Sequence, residues 1–168
     1  IGDVVHRDHP GYGTLVYRND TGRNDFVLSK AAYDEHELFF FVQTAHSITP
    51  HTDPYWMLLL LNTDQDAGTG WLGYDYAVNA EVISDTETTV KAWRDGSWEP
   101  AGAAEYRVNG NGMELAVPRA LVGEAEGAPA FDFHWADNIK SFDDVSELGV
   151  NGDSAPNRRW NYRYAVGK

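Results

Sequence analysis

The chain has 168 residues, no cysteine and a formal net charge of −13 at pH 7. Its length fits one domain, and its 42% hydrophobic and 13% aromatic content argues against disorder. The acidity argues against nucleic acid and anionic membranes as partners, because both are bound through clustered Lys and Arg. The lack of cysteine excludes disulfides, thiolate metal sites and cysteine nucleophiles. We therefore expect a single domain, residues 1–168, whose ligands are neutral or cationic.

Turn signals such as Asn19-Asp20, Asp95-Gly96 and Asn109-Gly110 recur along the chain, separated by short runs rich in Val, Tyr, Phe, Trp and Leu. Only residues 118–122 look helical, with Pro118 at a first-turn position. The pattern predicts strands near residues 13–18, 25–33, 37–46, 55–63, 74–84, 87–94, 103–108, 112–117, 130–136 and 160–166. Many short strands with Gly-rich turns are typical of a sandwich or barrel, and we predict an all-β fold, an antiparallel β-sandwich of jelly-roll type.

Alternating apolar side chains mark the strand faces that are expected to form the core. Such stripes are Phe131, Phe133 and Trp135; Tyr74, Tyr76, Val78, Ala80 and Val82; Met113, Leu115 and Val117; and Trp160, Tyr162, Tyr164 and Val166. Segments 37–46 and 55–61 are instead apolar on both faces. Each is either a central strand covered on both sides or a strand that carries an aromatic-lined groove.

The segment Asn62 to Gly70 places two carboxylates, Asp64 and Asp66, at alternate positions before a pair of glycines. Calcium takes about 6–8 oxygen ligands from carboxylates and backbone carbonyls. The loop is therefore predicted to bind a structural calcium through these two carboxylates. The alternative is a polar hairpin loop whose Asp side chains accept hydrogen bonds from their own backbone.

Three tryptophans lie outside the core stripes. Trp71 follows Gly70 in a loop, Trp93 lies on the polar face of its strand, and Trp98 lies across the Asp95-Gly96 turn from it. Sugars bind to flat aromatic faces while polar groups fix their hydroxyls, so these tryptophans are predicted to contact carbohydrate. The alternative for Trp93 and Trp98 is a cross-strand aromatic pair that stabilises a hairpin.

A polar loop at residues 152–159 contains the adjacent arginines Arg158 and Arg159. Arginine can donate two parallel hydrogen bonds to an acidic or hydroxyl-rich ligand. We predict that Asp137, Asn138 and Arg158 contribute polar contacts to a carbohydrate site. The alternative for the arginines is an internal ion pair with Asp137 or Asp153.

Four segments that span most of the chain resemble bacterial domains related to the family 9 carbohydrate-binding modules, within the wider DOMON-like group of β-sandwiches. They are TGRNDFVLSKAAYD (21–34), DPYWMLLLLNTDQDAGTGWLGYDYAVN (53–79), FDFHWADNI (131–139) and GDSAPNRRWNYRY (152–164). The resemblance implies a two-sheet antiparallel sandwich, a bound calcium in many members and sugar-chain ends held between tryptophans. It suggests Asp64 and Asp66 near a cation and Trp71 near a sugar.

Such domains are often attached to polysaccharide-degrading enzymes. The resemblance therefore implies a polysaccharide or oligosaccharide ligand, an adjacent catalytic domain, and a secreted or cell-surface location. The longest apolar run, Trp56 to Leu61, is far below the ~20 residues of a membrane helix. The chain begins at Ile1 rather than Met, which suggests a processed or excised piece.

The sequence thus predicts a non-catalytic module that anchors a polysaccharide-active enzyme to its glycan. One alternative is a small glycan-active enzyme in which His134, Asp137 and Arg158 line a cleft, although the chain has no GxSxG, HExxH, phosphate-loop or dinucleotide-binding motif. Another is a structural accessory sandwich that packs on a partner domain through Trp56, Leu58 and Leu60.

Overall fold

The computed structural model describes residues 7–11, 13–141, 147–157 and 160–166. In these residues a short 3-10 turn spans Arg119–Leu121 and a one-turn helix, α1, spans Glu147–Val150. The strands are β1 (Arg7–Pro10), β2 (Val16–Asn19), β3 (Phe26–Tyr33), β4 (Glu37–Thr44), β5 (Leu58–Asn62), β6 (Tyr76–Val82), β7 (Glu87–Arg94), β8 (Ser97–Asn109), β9 (Gly112–Pro118), β10 (Ala130–Asp137), β11 (Asp153–Ala155) and β12 (Tyr162–Ala165).

Strands β3 to β12 form one antiparallel sheet in the order β11-β10-β5-β6-β7-β8-β9-β4-β3, with β12 also paired to β10, while β1 and β2 form a separate hairpin. The sheet curls until its ends approach each other. The backbone N–H of Phe26 donates to Asp153 at 2.7 Å, and the Trp135 indole donates to Ser29 at 3.1 Å. The predicted all-β antiparallel fold is confirmed, as a single nearly closed, barrel-like sheet.

The main core lies inside this curled sheet, where the alternating apolar residues meet. Phe40 of β4 packs against Phe131 and Phe133 of β10, with ring centroids 5.4 and 5.5 Å apart. Burying a side chain of this size stabilises the fold by about 1.5–3 kcal/mol. The stripes on β9 and β10 are buried as predicted.

Most predicted strands coincide with observed ones, and Pro118 precedes the short 3-10 turn where a helical turn was expected. Strands β1 and β11 and helix α1 were not predicted. The prediction that Trp160 belongs to a core stripe is wrong, because β12 begins only at Tyr162 and Trp160 is 73% exposed. Among the described residues there is no helix with the length and apolar character needed to span a bilayer.

A second apolar cluster lies on the outer face of the sheet, over β5. Every residue of β5 is buried, including Leu58 and Leu60, whose side chains point away from the main core. Trp71 and Tyr74 of the loop between β5 and β6 cover them, together with Ile139 and Leu148. Trp56 is also buried, so Trp56, Leu58 and Leu60 form no exposed patch for a partner domain.

Candidate functional site

The loop of residues 63–75, which we call the cover loop, holds Trp71 against the outer face of the sheet. Trp71 and Tyr74 exchange two backbone hydrogen bonds of 2.7 and 3.0 Å. Gly70 has a φ of 62°, and a β-carbon there would collide with the Tyr74 carbonyl. The tight turn therefore needs glycine. Trp71 is only 6% exposed, so its ring is mainly a packing element.

The three predicted tryptophans come together beside this loop. Trp93 of β7 and Trp98 of β8 are directly opposite each other in the ladder, with ring centroids 5.2 Å apart in an edge-to-face arrangement. Trp71 lies 6.0 Å from Trp98. Trp93 and Trp98 are partly buried against the outer cluster. They have the geometry of a cross-strand pair, and Trp98 in addition reaches a groove on the surface.

This groove, which we call the tryptophan groove, has a volume of about 240 Å³. It is lined by Tyr55, Ala77, Ala80, Glu81, Lys91 and Trp98. The short side chains of Ala77 and Ala80 leave room for the hollow that the two aromatic residues also line. The Lys91 ammonium donates to the Glu81 carboxylate at 2.5 Å, which places a donor and an acceptor beside the rings. The sequence patterns did not single out Tyr55, Glu81 or Lys91.

Hydrogen bonds hold Tyr55 in a strained backbone segment. Tyr55 and Met57 have φ angles of 48° and 49°, and Asn138, whose N–H donates to the Tyr55 carbonyl at 2.9 Å, has a φ of 59°. Such conformations cost about 1–3 kcal/mol each in residues other than glycine and cluster at ligand-binding and catalytic sites. The Met57 N–H donates to Asp137 at 2.9 Å, which fixes the other side of Tyr55.

Asp137 links the backbone around Tyr55 to the seam, the place where the two ends of the curled sheet meet. Its side chain is fully buried and accepts hydrogen bonds from Arg23 at 2.7 Å and from Asn24 at 3.0 Å. Burial raises the pKa of Asp137, and the Arg23 guanidinium opposes that shift. Asp137 and Asn138, which the sequence predicts to contact carbohydrate, thus lie behind Tyr55 and do not line the tryptophan groove. The ion partner of Asp137 is Arg23, while Arg158 lies outside the described residues.

His134 is fully buried on the outer face of β10, next to Tyr74. Its Nδ1–H donates to the Trp160 carbonyl at 2.8 Å, and burial lowers the pKa of His134 to about 4. Asp137, three residues later, faces the seam. In this arrangement neither His134 nor Asp137 is exposed to a substrate, so the cleft of the enzyme alternative is not formed by this pair.

The carboxylates of the cover loop bond mainly to the loop itself. Asp64 accepts from the Asp66 N–H and from the Thr69 hydroxyl, both at 2.8 Å, and Asp66 accepts from the Gly68 N–H at 2.8 Å. No group of three or more His, Asp or Glu side chains suited to a metal occurs in the described part of the chain. The structure therefore shows the hydrogen bonds of the hairpin-loop alternative, and the calcium site stays a prediction.

The fold and site define an all-β protein whose nearly closed antiparallel sheet carries an aromatic-lined groove on its outer face. Comparison with protein-family models, curated proteins and solved structures finds no match for this chain. The resemblance to carbohydrate-binding modules stays a prediction.

Proposed function

We propose that this chain is a non-catalytic carbohydrate-binding module that holds a neutral glycan in the tryptophan groove. The observation that carries the proposal is the convergence of Trp98 and Tyr55 on one hollow beside the Lys91–Glu81 pair. Aromatic rings cover the C–H face of a pyranose, and a donor and an acceptor at the edge of the rings bind its hydroxyls.

Charge favours a neutral sugar over an anionic one. The chain carries a net charge of −13, and the cation in the groove, Lys91, is already paired with Glu81. An anionic glycan would meet long-range repulsion and no uncompensated positive charge in this groove. A neutral hydroxyl-rich ligand meets neither obstacle.

The size of the groove favours a small part of a glycan. Its volume of about 240 Å³ lies below the ~300–1,000 Å³ that is common for sites of drug-sized ligands. A site for a single sugar unit gives modest affinity by itself. Attached to a catalytic domain in a secreted or cell-surface protein, such a module acts by raising the effective concentration of that domain at its polysaccharide.

The test is affinity electrophoresis of the whole chain through gels that contain neutral polysaccharides, followed by calorimetry with the one that retards it. Trp98→Ala and Tyr55→Ala are expected to weaken binding by about tenfold or more, since truncation of a central aromatic contact commonly costs more than 1 kcal/mol. Ile83→Ala is the control, because Ile83 is exposed and does not line the groove.

Circular dichroism and thermal melting establish that each variant is folded before its binding is compared. Equal retardation of the wild type, Trp98→Ala and Tyr55→Ala would exclude the tryptophan groove as the binding site. Absence of retardation of the wild type by every neutral polysaccharide would contradict carbohydrate binding itself.

A further inference from the structure

A second concave surface lies on the outer face of β4, β9 and β8, away from the tryptophan groove. The strand registers place three rows of side chains across this face. From one end to the other the rows are Phe39, Ala116 and Glu105; Phe41, Glu114 and Arg107; and Gln43, Gly112 and Asn109. We call this surface the β9 trough.

Small residues in the central strand create the trough. Gly112 and Ala116 stand on either side of Glu114 along β9, and a hollow lies at each of them. The hollow at Gly112 has a volume of about 330 Å³ and that at Ala116 about 240 Å³, and both are lined by Arg107 and Glu114. Gly112 and Ala116 are roughly 13 Å apart along the strand at the usual rise per residue. The surface is therefore longer than one sugar ring.

The two walls of the β9 trough differ in chemistry. On β4, Phe39 and Phe41 are only half-buried and present aromatic surface. On β8, Arg107 is 63% exposed on its side chain and lies 3.8 Å from Glu105, with Asn109 further along the same wall. One side of a ligand would thus meet aromatic carbon and the other would meet hydrogen-bonding groups.

Carboxylates outnumber cationic groups along the trough. Arg107 and Lys30, whose ammonium lies 6.0 Å from the Phe41 ring, provide two positive groups. Glu105, Glu114 and Glu37, which shares the outer face of β4 with Phe39, provide three negative ones. Such a surface does not attract a polyanion. The ligand that matches its aromatic wall and its polar wall is neutral and elongated, with one apolar side and one hydroxyl-rich side.

We propose that the β9 trough is a second binding site, for a neutral glycan of several linked sugars. The inference takes the class of ligand from the proposed function but rests on different residues. The C–H faces of successive sugar rings lie against Phe39 and Phe41. Their hydroxyl edges bond to Arg107, Glu114 and Asn109. The tryptophan groove takes one sugar unit, and the trough adds affinity that grows with chain length.

The experiment uses the whole chain and calorimetry with β-1,4-linked oligomers of glucose, xylose and mannose, from the monosaccharide to the hexasaccharide. Trp98→Ala removes the contribution of the tryptophan groove. In that background, Ala116→Leu fills one hollow without removing a polar group, and Arg107→Ala removes donors from the polar wall. Val108→Ala is the matched control, since Val108 adjoins Arg107 in β8 but lines neither hollow.

The wild type is expected to bind at least one of these series with affinity that rises with length. In the Trp98→Ala background, Ala116→Leu and Arg107→Ala are each expected to weaken binding of the longest oligomer by about tenfold, the scale of one lost central contact. Val108→Ala is expected to leave it unchanged. Arg107→Ala keeps the test decisive if the leucine variant fails to fold.

Loss of all binding in Trp98→Ala would overturn the trough and leave the tryptophan groove standing. If Trp98→Ala keeps the wild-type affinity while the trough variants bind more weakly, only the proposal for the tryptophan groove is overturned. Length-independent binding, or binding that none of the trough variants affects, would also overturn the trough. Absence of binding by the wild type to every oligomer would overturn both proposals.

Discussion

Strands β4 and β5 have the same sequence character but different surroundings. Both are apolar on both faces, and both bury one face in the main core. Every residue of β5 is buried, whereas the outer residues Phe39 and Phe41 of β4 remain half-exposed and line the β9 trough. One strand is covered and the other carries an aromatic-lined surface.

The difference comes from the segments that do or do not pack over the outer face of each strand. After β5 the chain makes the long cover loop, which brings Trp71 and Tyr74 back over the strand. Next to β4, strand β9 is joined to β8 by the tight Gly110-Asn111 turn, and the hollows beside Phe39 and Phe41 are lined only by residues of β4, β8, β9 and this turn. Whether a strand that is apolar on both faces becomes buried on both therefore depends on whether another segment packs over its outer face.

The largest effect is expected from removal of the cover over β5. Trp71→Ala is expected to lower the free energy of unfolding by about 3–5 kcal/mol, because a buried ring is lost and a cavity remains. Phe39→Ala, on the uncovered face of β4, is expected to cost only about 1 kcal/mol, since its ring is already half-exposed. Equilibrium unfolding in urea measures both.

Similar losses for Trp71→Ala and Phe39→Ala would contradict the distinction between a covered and an open strand. Leu72→Ala serves as the control within the cover loop, because the Leu72 side chain is 52% exposed. It is expected to change stability by no more than about 0.5 kcal/mol.

Local periodicity was enough to predict the fold class and most strands, because alternation within one strand fixes which face is apolar. It also marked Trp71, Trp93 and Trp98 as a related set. It could not place Tyr55, whose position depends on Asp137, far along the chain. Nor could it pair Asp137 with Arg23, since an ion pair between distant segments leaves no spacing signal in one sequence.

A second prediction concerns His134, which is buried beside Tyr74 under the same cover. Its folded-state pKa of about 4 lies below the ordinary value of 6.5, so the unfolded chain binds a proton first as the pH falls. The contribution of His134 to stability is complete above pH 6.5 and is lost as the pH falls through 4. It amounts to roughly 3 kcal/mol, since one pKa unit corresponds to about 1.4 kcal/mol.

Urea unfolding of the wild type and of His134→Gln, measured between pH 4 and pH 7, isolates this contribution. Glutamine can still donate to the Trp160 carbonyl but cannot titrate, so its profile is expected to be flatter. His46→Gln, at an exposed histidine, is expected to follow the wild type. Parallel profiles for the wild type and His134→Gln would show that the imidazole is hydrated in the folded protein.

The smallest effect is expected at the exposed end of the cover loop. Asp64→Ala removes acceptors for Asp66 and Thr69, and bonds of this kind contribute about 1 kcal/mol or less each in water. If the loop bonds only to itself, calcium and a chelator leave the melting temperature of the wild type and of Asp64→Ala unchanged. If calcium binds, as the sequence predicts, the wild type melts at a higher temperature with calcium than with chelator, and Asp64→Ala loses that difference. A calcium-dependent shift in melting temperature that persists in Asp64→Ala would show that calcium binds elsewhere. The loop would then stabilise β5 through Trp71 and not through a calcium ion bound to its carboxylates.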